Sequence, residues 1–475
     1  MALPTATSSE AVCPYKECDC GQTVILCSGL GLTSMPRSIV ETNSYYTVAI
    51  FDDNQITSIT SDSFPPNLTE ISFVEDPITT IENDAFTQLT NTLRVISLSS
   101  VHFARLPDAF LHLNVLTDLT ITGDVIEDWN INVMKHIGTS VKSLYIKNFH
   151  AINEWPGWFQ YFTHLTEVGI SGTSISDIPD DAFNSLENKL TDLTLSNNSL
   201  LTVPRALSRI SSLQSLSLDQ NRIYDVRWLP QFSNLTFLAL NSNRLYNASQ
   251  VSIVLRGYAS SLFACLIHNN YLTAFPDVDF LTQVNSMDFT NNMIVDANSG
   301  SLPPGLSELR MEHNSLPRIP QLLSMLQSIT TLFLSSNKIT QLQGTAFPPN
   351  VVVVQFQYNL IREITDSSFP KNSKISNIGL SSNPLATISD NAFKNLGHLA
   401  ELNLQNTKLT RLPLALSSLT RLNVIDVSNT DTLVCTCQQN KLRNWILALP
   451  SGTVVGNCGG TSIYYFYSIL SSGCP

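Results

Sequence analysis

Cysteine is the residue type with the most chemistry open to it in this 475-residue chain, and eight of its nine cysteines fall in two tight groups. Cys13, Cys18, Cys20 and Cys27 lie near one end, and Cys435, Cys437, Cys458 and Cys474 near the other. Four thiolates can hold a zinc ion or close two disulfides. The single-residue gaps at Cys18/Cys20 and Cys435/Cys437 differ from the two-residue gaps of zinc fingers. Four Asn-x-Ser/Thr sequons, at Asn67, Asn197, Asn234 and Asn247, fit passage through an oxidising export route and are expected to carry glycans. The two groups therefore read as disulfide staples with no metal, and four cysteines in each allow three connectivities. Catalytic patterns are lacking. The eight histidines are scattered, and there is no His-Glu-x-x-His, Gly-x-Ser-x-Gly, phosphate loop or calcium loop. Glu308, Arg310, Glu312 and His313 are the densest ionisable group, in which Glu308 and Glu312 would be the two carboxylates of a glycosidase. The alternative is a solvated polar strand on a surface without a deep pocket, and that reading is adopted. No catalytic residue, no cofactor and no enzymatic activity are expected of this chain.

What positions these groups is a frame repeated about seventeen times between Tyr46 and Thr430: apolar-x-x-apolar-x-apolar-x-x-Asn, at spacings of 22 to 27 residues. It is clearest at Leu190-x-x-Leu193-x-Leu195-x-x-Asn198, Leu213 to Asn221, Leu235 to Asn243 and Ile329 to Asn337. Apolar residues two apart share one face of a short strand, and the residue between them points the other way. One face is core and one is water. The closing Asn stands where the chain turns inward, and its amide can donate to and accept from the backbone of neighbouring coils. The frame resembles the leucine-rich-repeat signature. That resemblance implies an α/β solenoid, the leucine-rich-repeat horseshoe, with a parallel concave β-sheet, a mostly irregular or short-helical convex side and disulfide caps at both ends.

The Asn row runs unbroken through Asn198, Asn221, Asn243, Asn270, Asn292, Asn314, Asn337, Asn359 and Asn383. Before it stand Asp76, Val101, Asp124, Phe149 and Thr173, and after it Thr407 and Thr430, so the early coils are expected to be less regular. A second apolar row, Phe64, Phe86, Phe110, Phe183, Phe347, Phe369 and Phe393, follows the strands and should fill the convex side of the core. Pro65-Pro66, Pro303-Pro304 and Pro348-Pro349 exclude long helices there. Cys265 takes an inward frame position and reads as a buried free thiol acting as a small hydrophobe.

The stretch Cys13-Pro14-Tyr15-Lys16-Glu17-Cys18-Asp19-Cys20, with Cys27-Ser28-Gly29-Leu30 and Leu32-Thr33-Ser34-Met35-Pro36, resembles the N-terminal flanking cap of extracellular leucine-rich-repeat proteins. Cys435-Thr436-Cys437, Leu442-Arg443-Asn444-Trp445-Ile446, Cys458 and Cys474-Pro475 are similar to the C-terminal cap. The resemblance implies Cys13 with Cys20, Cys18 with Cys27, Cys435 with Cys458 and Cys437 with Cys474. The expected organisation is a flexible segment at 1–12, an N-terminal cysteine cap at 13–45, repeats at 46–430 and a C-terminal cysteine cap at 431–475.

Charged residues make up 13% of the chain, so Ser, Thr, Asn and Gln must supply much of the polar surface. The net charge of −12 argues against nucleic acid and against an anionic membrane surface. Neither a signal peptide nor a span of roughly twenty apolar residues is present. The chain therefore reads as an excised ectodomain, extracellular at a cell surface or secreted, joined to a membrane only through an anchor outside this sequence.

Parallel stacking sets the outward positions of each frame out as a grid. The first eight coils offer Asp52, Asp53, Glu70, Glu75, Asp118, Glu167, Asp192 and Asp219 against one base, Lys147. This is a solvated acidic face or a dock for a basic partner. Coils nine to fourteen mix apolar and polar groups, Phe237, Leu266, His268, Asp288, Arg310, Glu312, Phe333, Gln355 and Tyr358, a composition suited to an interface. These are the candidate ligand-binding residues. The partner expected is a protein, peptide or glycan on the concave face, with a co-receptor as a further partner. Two functions fit: the ligand-recognising ectodomain of a leucine-rich-repeat cell-surface receptor or receptor-like kinase, and a secreted structural or inhibitory protein using the same face. An apolar helix soon after codon 475 would mark the first, a stop codon the second. The Gly-x-Ile-Pro convex motif of plant receptor ectodomains is not found in register, which argues against a plant receptor kinase.

Overall fold

Strands of three residues can bury a core only by stacking, because each presents one inward side chain to its neighbours. The computed structural model describes residues 13–37, 46–231, 233–450 and 452–474, and the flexible segment expected at 1–12 lies outside them. Seventeen repeat strands stack in two compact units, the first running to Ile223 and including Trp228–Leu235, the second taking Tyr224–Arg227 and running on from Thr236. In the first unit, Ala49, Ile71, Ile96, Leu119, Leu144, Val168, Leu193 and Leu216 lie side by side in parallel register. All eight are buried. In the second, Leu238 pairs with Cys265, and Met287, Leu309, Leu332, Val354, Ile378, Leu402 and Ile425 form another continuous row.

The return halves are short because proline stops and starts them. Pro107, Pro156, Pro204, Pro320 and Pro413 each hold an extended backbone, and a five-residue 3-10 turn begins at the next residue. Only Ile131–Ile137 and Ala248–Leu255 are α-helical among the described repeats, the latter capped by the Asn247 side chain. The Phe row is buried, with ring centroids of Phe64 and Phe86 6.0 Å apart and those of Phe369 and Phe393 6.2 Å apart.

Disulfides join Cys13 to Cys20, Cys18 to Cys27, Cys435 to Cys458 and Cys437 to Cys474. Each cap adds a parallel strand to the stack, Val24–Leu26 beside Val48–Ile50 and Val454–Val455 beside Val424–Asp426, which covers core that an open end would expose. The Trp445 indole N–H donates to the Leu419 carbonyl at 2.9 Å and ties the second cap to the last coils. Cys265 is buried and unpaired, and burial pushes its thiol up to about 12, which leaves it without thiolate character near neutral pH.

Every Asn of the frame row, from Asn198 to Asn383, is buried. Asn314 shows the pattern: Nδ2 donates to Phe289 O at 2.9 Å in the preceding coil and to Met311 O at 3.2 Å in its own, while Oδ1 accepts from Ile294 N–H at 2.9 Å. The first frame, Tyr46 to Asn54, also closes with an amide, and Asn54 is buried and bridges Cys27 O, Leu30 N–H and Leu32 N–H. One correction falls at the N-terminal side. Asp124 does not belong to the row: it is exposed, because the strand partner opposite bulges between Leu98 and Val101. The early coils without an amide keep their register, and their strands run further, seven residues at Val95–Val101, six at Asp118–Gly123 and five at Ser143–Lys147 and Glu167–Ser171. The coils of Thr407 and Thr430, which also lack the amide, keep three-residue strands, so the longer ladder belongs to the early coils and does not follow from the missing amide alone.

Two tests follow from the amide row. Asn292→Ala removes bonds to Ile267 O, Phe289 O and Leu272 N–H and should cost about 1–3 kcal/mol, while Thr407, whose hydroxyl donates to Leu404 O and meets the Thr430 hydroxyl at 3.5 Å, should cost less on truncation to Ala. Equal or reversed losses in thermal melts would refute the amide account. Asp76 is fully buried, its Oδ1 accepts from Ile56 N–H at 2.9 Å, and Oδ2 has no hydrogen-bond partner. Burial, reinforced by Asp52 and Asp53, pushes its carboxyl from 3.8 to about 6. A raised carboxyl contributes stability that is complete below its unfolded value and is lost as pH rises through about 6. Asp76→Asn should therefore melt higher than the parent chain above pH 6, with the difference shrinking towards pH 4. A pH-independent difference would show that the charge on Asp76 is not the cause.

Candidate functional site

The residue before each inward-turning position, whether or not an amide stands there, takes a left-handed turn in nearly every coil. Asn197, Asn269, Asn291 and His313 suit that conformation, whereas Tyr358 adopts it at a φ of 56° against the preference of bulky side chains. The turn aims Tyr358 at solvent, where it is 66% exposed. Both residues edge one depression of about 760 Å³ on the outward face of the strands Ser286–Asp288, Glu308–Arg310, Thr331–Phe333 and Val353–Gln355.

Arg310 occupies its centre, directly opposite Asp288 on one side and Phe333 on the other. Its guanidinium lies 4.1 Å from the Phe333 ring centroid, Nε donates to Glu308 Oε1 at 2.8 Å, and Nη1 donates to Glu312 Oε1 at 3.4 Å. The Thr290 hydroxyl donates to the other Glu312 oxygen at 3.1 Å. The charge of Arg310 is thus largely spent inside the site, and with Asp288, Glu308 and Glu312 around a single guanidinium the depression is acidic on balance. Glu308 and Glu312 bond the same guanidinium instead of flanking a gap that a sugar bond could enter, a geometry that does not serve glycoside hydrolysis.

Of the nine residues expected to bind, Asp288, Arg310, Glu312, Phe333, Gln355 and Tyr358 line this depression. Phe237, Leu266 and His268 do not. Phe237 and Leu266 lie half-buried on the separate strand pair Phe237–Ala239 and Ala264–Leu266. His268 Nδ1 sits 3.8 Å from Asp288 Oδ2, too far for a hydrogen bond, at the edge between the two groups.

A polar neighbour was not anticipated. Gln355 and Gln357 also edge a smaller depression of about 270 Å³ shared with Asn377, Gly379, Glu401, Asn403 and Asp426. Gln355 Nε2 donates to Asn377 Oδ1 at 2.9 Å, Asn377 donates on to Glu401, and Gln405 donates to Asp426. Gly379 makes the room: a Cβ there would come within 2.0 Å of Gln355 Oε1. The signal in the sequence was the run of amides and acids at outward frame positions of coils fifteen to seventeen.

In the first unit, Glu70, Asp118, Glu167 and Asp192 do share one register position, interrupted by Val95 and Ser143. The Tyr145 ring lies across Gly169 beside them with Lys147 over its face at 5.1 Å. Burial, then the charges of Glu167 and Asp192, push the Tyr145 phenol above its ordinary value. All four sequon asparagines, Asn67, Asn197, Asn234 and Asn247, are exposed. No group of three or more metal-ligating side chains occurs among the described residues, and no described helix is long and apolar enough to cross a membrane.

A parallel-strand solenoid with disulfide caps and an outward grid of mixed side chains defines a class of binding scaffolds. Leucine-rich-repeat models match residues 163–223 and 373–431, and a BspA-type leucine-rich-repeat region model matches 15–111 and 38–156. Together they span more than half of the chain, which belongs to the leucine-rich-repeat family. It is 26% identical over 162 residues to human leucine-rich repeats and immunoglobulin-like domains protein 1, covering 33% of this chain and 15% of that one. Rabbit fibromodulin is 29% identical over 119 residues, covering 24% of this chain and 78% of the relative. The solved Toll–Spatzle complex of Drosophila shares the fold with a TM-score of 0.63 at 19% identity, over 87% of this chain and 61% of that chain.

Arg310→Met tests how the central cluster is held. Exposed ion pairs contribute little, so unfolding free energy should change by less than about 1 kcal/mol. A larger loss in denaturant titrations would make the cluster a structural element of the fold and not part of a binding surface.

Proposed function

We propose that this chain is the extracellular ligand-recognition ectodomain of a leucine-rich-repeat cell-surface receptor, binding a protein, peptide or glycan through its concave face. The observation that carries the reading is the arrangement around Arg310. A cation stacked on Phe333, bracketed by carboxylates and flanked by an outward-held tyrosine, concentrates the residue types that dominate interface energetics. The chemistry is recognition without turnover, and it requires no cofactor. Specificity comes from hydrogen-bond acceptors on Asp288 and Glu312 and from the adjoining Gln355 and Gln357 amides, and affinity from apolar surface on Phe333 and Tyr358. Of the nine residues first expected, the six around the depression form the proposed contact, with His268 at its edge. The disulfide caps and the exposed sequons support an extracellular setting in which Asn67, Asn197, Asn234 and Asn247 carry glycans. Nδ2 of Asn247 is free for a sugar while its Oδ1 caps Ala248–Leu255. A secreted structural or inhibitory role on the same face is the second reading, supported by the similarity to fibromodulin.

The test is a binding screen of the glycosylated chain against secreted proteins and glycans, followed by variants. Phe333→Ala/Tyr358→Ala should weaken any concave-face ligand at least about tenfold, with the melting temperature little changed. Met325→Ser, an exposed change on the convex turn Gln321–Met325, should leave affinity intact. Retained affinity in the double variant together with loss in Met325→Ser would place binding on the other face.

A further inference from the structure

Three of the five tryptophans gather in the return segments of coils four and five, far in the sequence from the Arg310 cluster. Trp129 and Trp158 have ring centroids 5.5 Å apart, and Trp155 packs on Phe159 at 4.7 Å and on Phe183 at 5.3 Å. Two open clefts of about 460 and 450 Å³ meet at Trp155-Pro156-Gly157. Trp129 and Trp158 line the first, Pro179 and Ala182 the second. The acids on their rims are Glu127 and Glu154 in one and Asp181 in the other, all exposed, and neither lining includes a lysine, arginine or histidine. None of the three acids forms an ion pair among the described residues.

We propose that these paired clefts bind the cationic side chains of a basic peptide segment, with a guanidinium or ammonium group held against the Trp155 indole and neutralised by Glu127, Glu154 and Asp181. Charge complementarity selects this occupant. Indole is the aromatic surface that attracts cations most strongly, and unpaired carboxylates at the rim strengthen the attraction. A sugar would need a broad uncovered indole face to stack on. Trp129 and Trp158 are 9% and 7% exposed and offer only slivers, while Trp155 is half-buried between the clefts, which suits a compact cationic head. The same surface already holds its own cations in this way: Lys135 lies 5.1 Å over the Tyr161 ring, and Arg205 lies 5.4 Å over Trp228 while pairing with Asp180 at 3.3 Å. Those bases are therefore engaged nearby and leave the rim acids to an external partner. Meeting at Trp155, the clefts accommodate two basic side chains of one extended segment, one on either side of the indole.

The experiment is a titration of the full chain with acetylated tetra-arginine amide, followed by tryptophan fluorescence and calorimetry, with chitotetraose as a neutral saccharide probe. Tetra-arginine should bind with a change in tryptophan emission, weaken with added salt, and lose about fivefold to tenfold in affinity in Trp155→Ala and in Glu127→Gln/Glu154→Gln. Because Trp155 also packs on Phe159 and Phe183, the double carboxamide variant, confined to exposed side chains, is the control that keeps the fold intact. Glu167→Gln/Asp192→Asn, on the outward strand face of the same unit, should leave the affinity unchanged. The proposal is overturned if tetra-arginine does not bind, if the outward-face variant and not Glu127→Gln/Glu154→Gln abolishes binding, or if chitotetraose binds in its place.

Discussion

A buried amide that serves two coils at once is the interaction on which the rest of this molecule depends. Each Asn from Asn198 to Asn383 satisfies a carbonyl in its own turn and, as at Asn314, groups in the coil before it, so no coil is complete without its neighbour. Leaving such groups unpaired in a core costs about 1–3 kcal/mol each. The inward turn that carries the amide places a left-handed residue just before it, a turn that the coils of Thr407 and Thr430 share, and this turn decides where Tyr358 and His313 project. Core and binding surface thus meet at one turn.

Much of this was legible in the sequence because the frame has a strict period and each position has one physical role. Inward leucines, the amide row and the Phe row were readable from spacing alone, and all are buried where the frame puts them. The first frame is readable although Ala49 and Phe51 replace its leucines, because the spacing from Tyr46 to Asn54 is kept. Asp124 was misplaced because spacing counts residues and a bulge in the neighbouring strand does not appear in the count.

The binding surface was less legible for a different reason. Projecting positions can be enumerated from the frame, but which of them touch depends on side-chain reach across strands. Phe237 and Leu266 satisfy the same positional rule as Phe333 and lie apart from it. The frame shows that Arg310 projects outward but not that its chain neighbours Glu308 and Glu312 engage its charge. The tryptophan clefts draw on residues from three coils whose return segments have no common length, so no period announces them. Regular repetition specifies the scaffold, and the departures from it specify the surfaces.

The spacing of the disulfides has a bearing on how the chain matures. The paired cysteines are separated by 7, 9, 23 and 37 residues, so every ring closes within its own cap. Short loops close at small entropic cost, and that cost grows with length. Oxidation at either end can therefore run to completion without reference to the other end or to the stacking of the repeats between them. Cys265 sits in the middle of the chain at a position that stacking withdraws from solvent. An unpaired thiol in an oxidising compartment is a hazard only while the coils around it are open. Local closure at the ends leaves none of the eight cap cysteines waiting for a partner from the middle of the chain, and stacking keeps Cys265 apart from all of them.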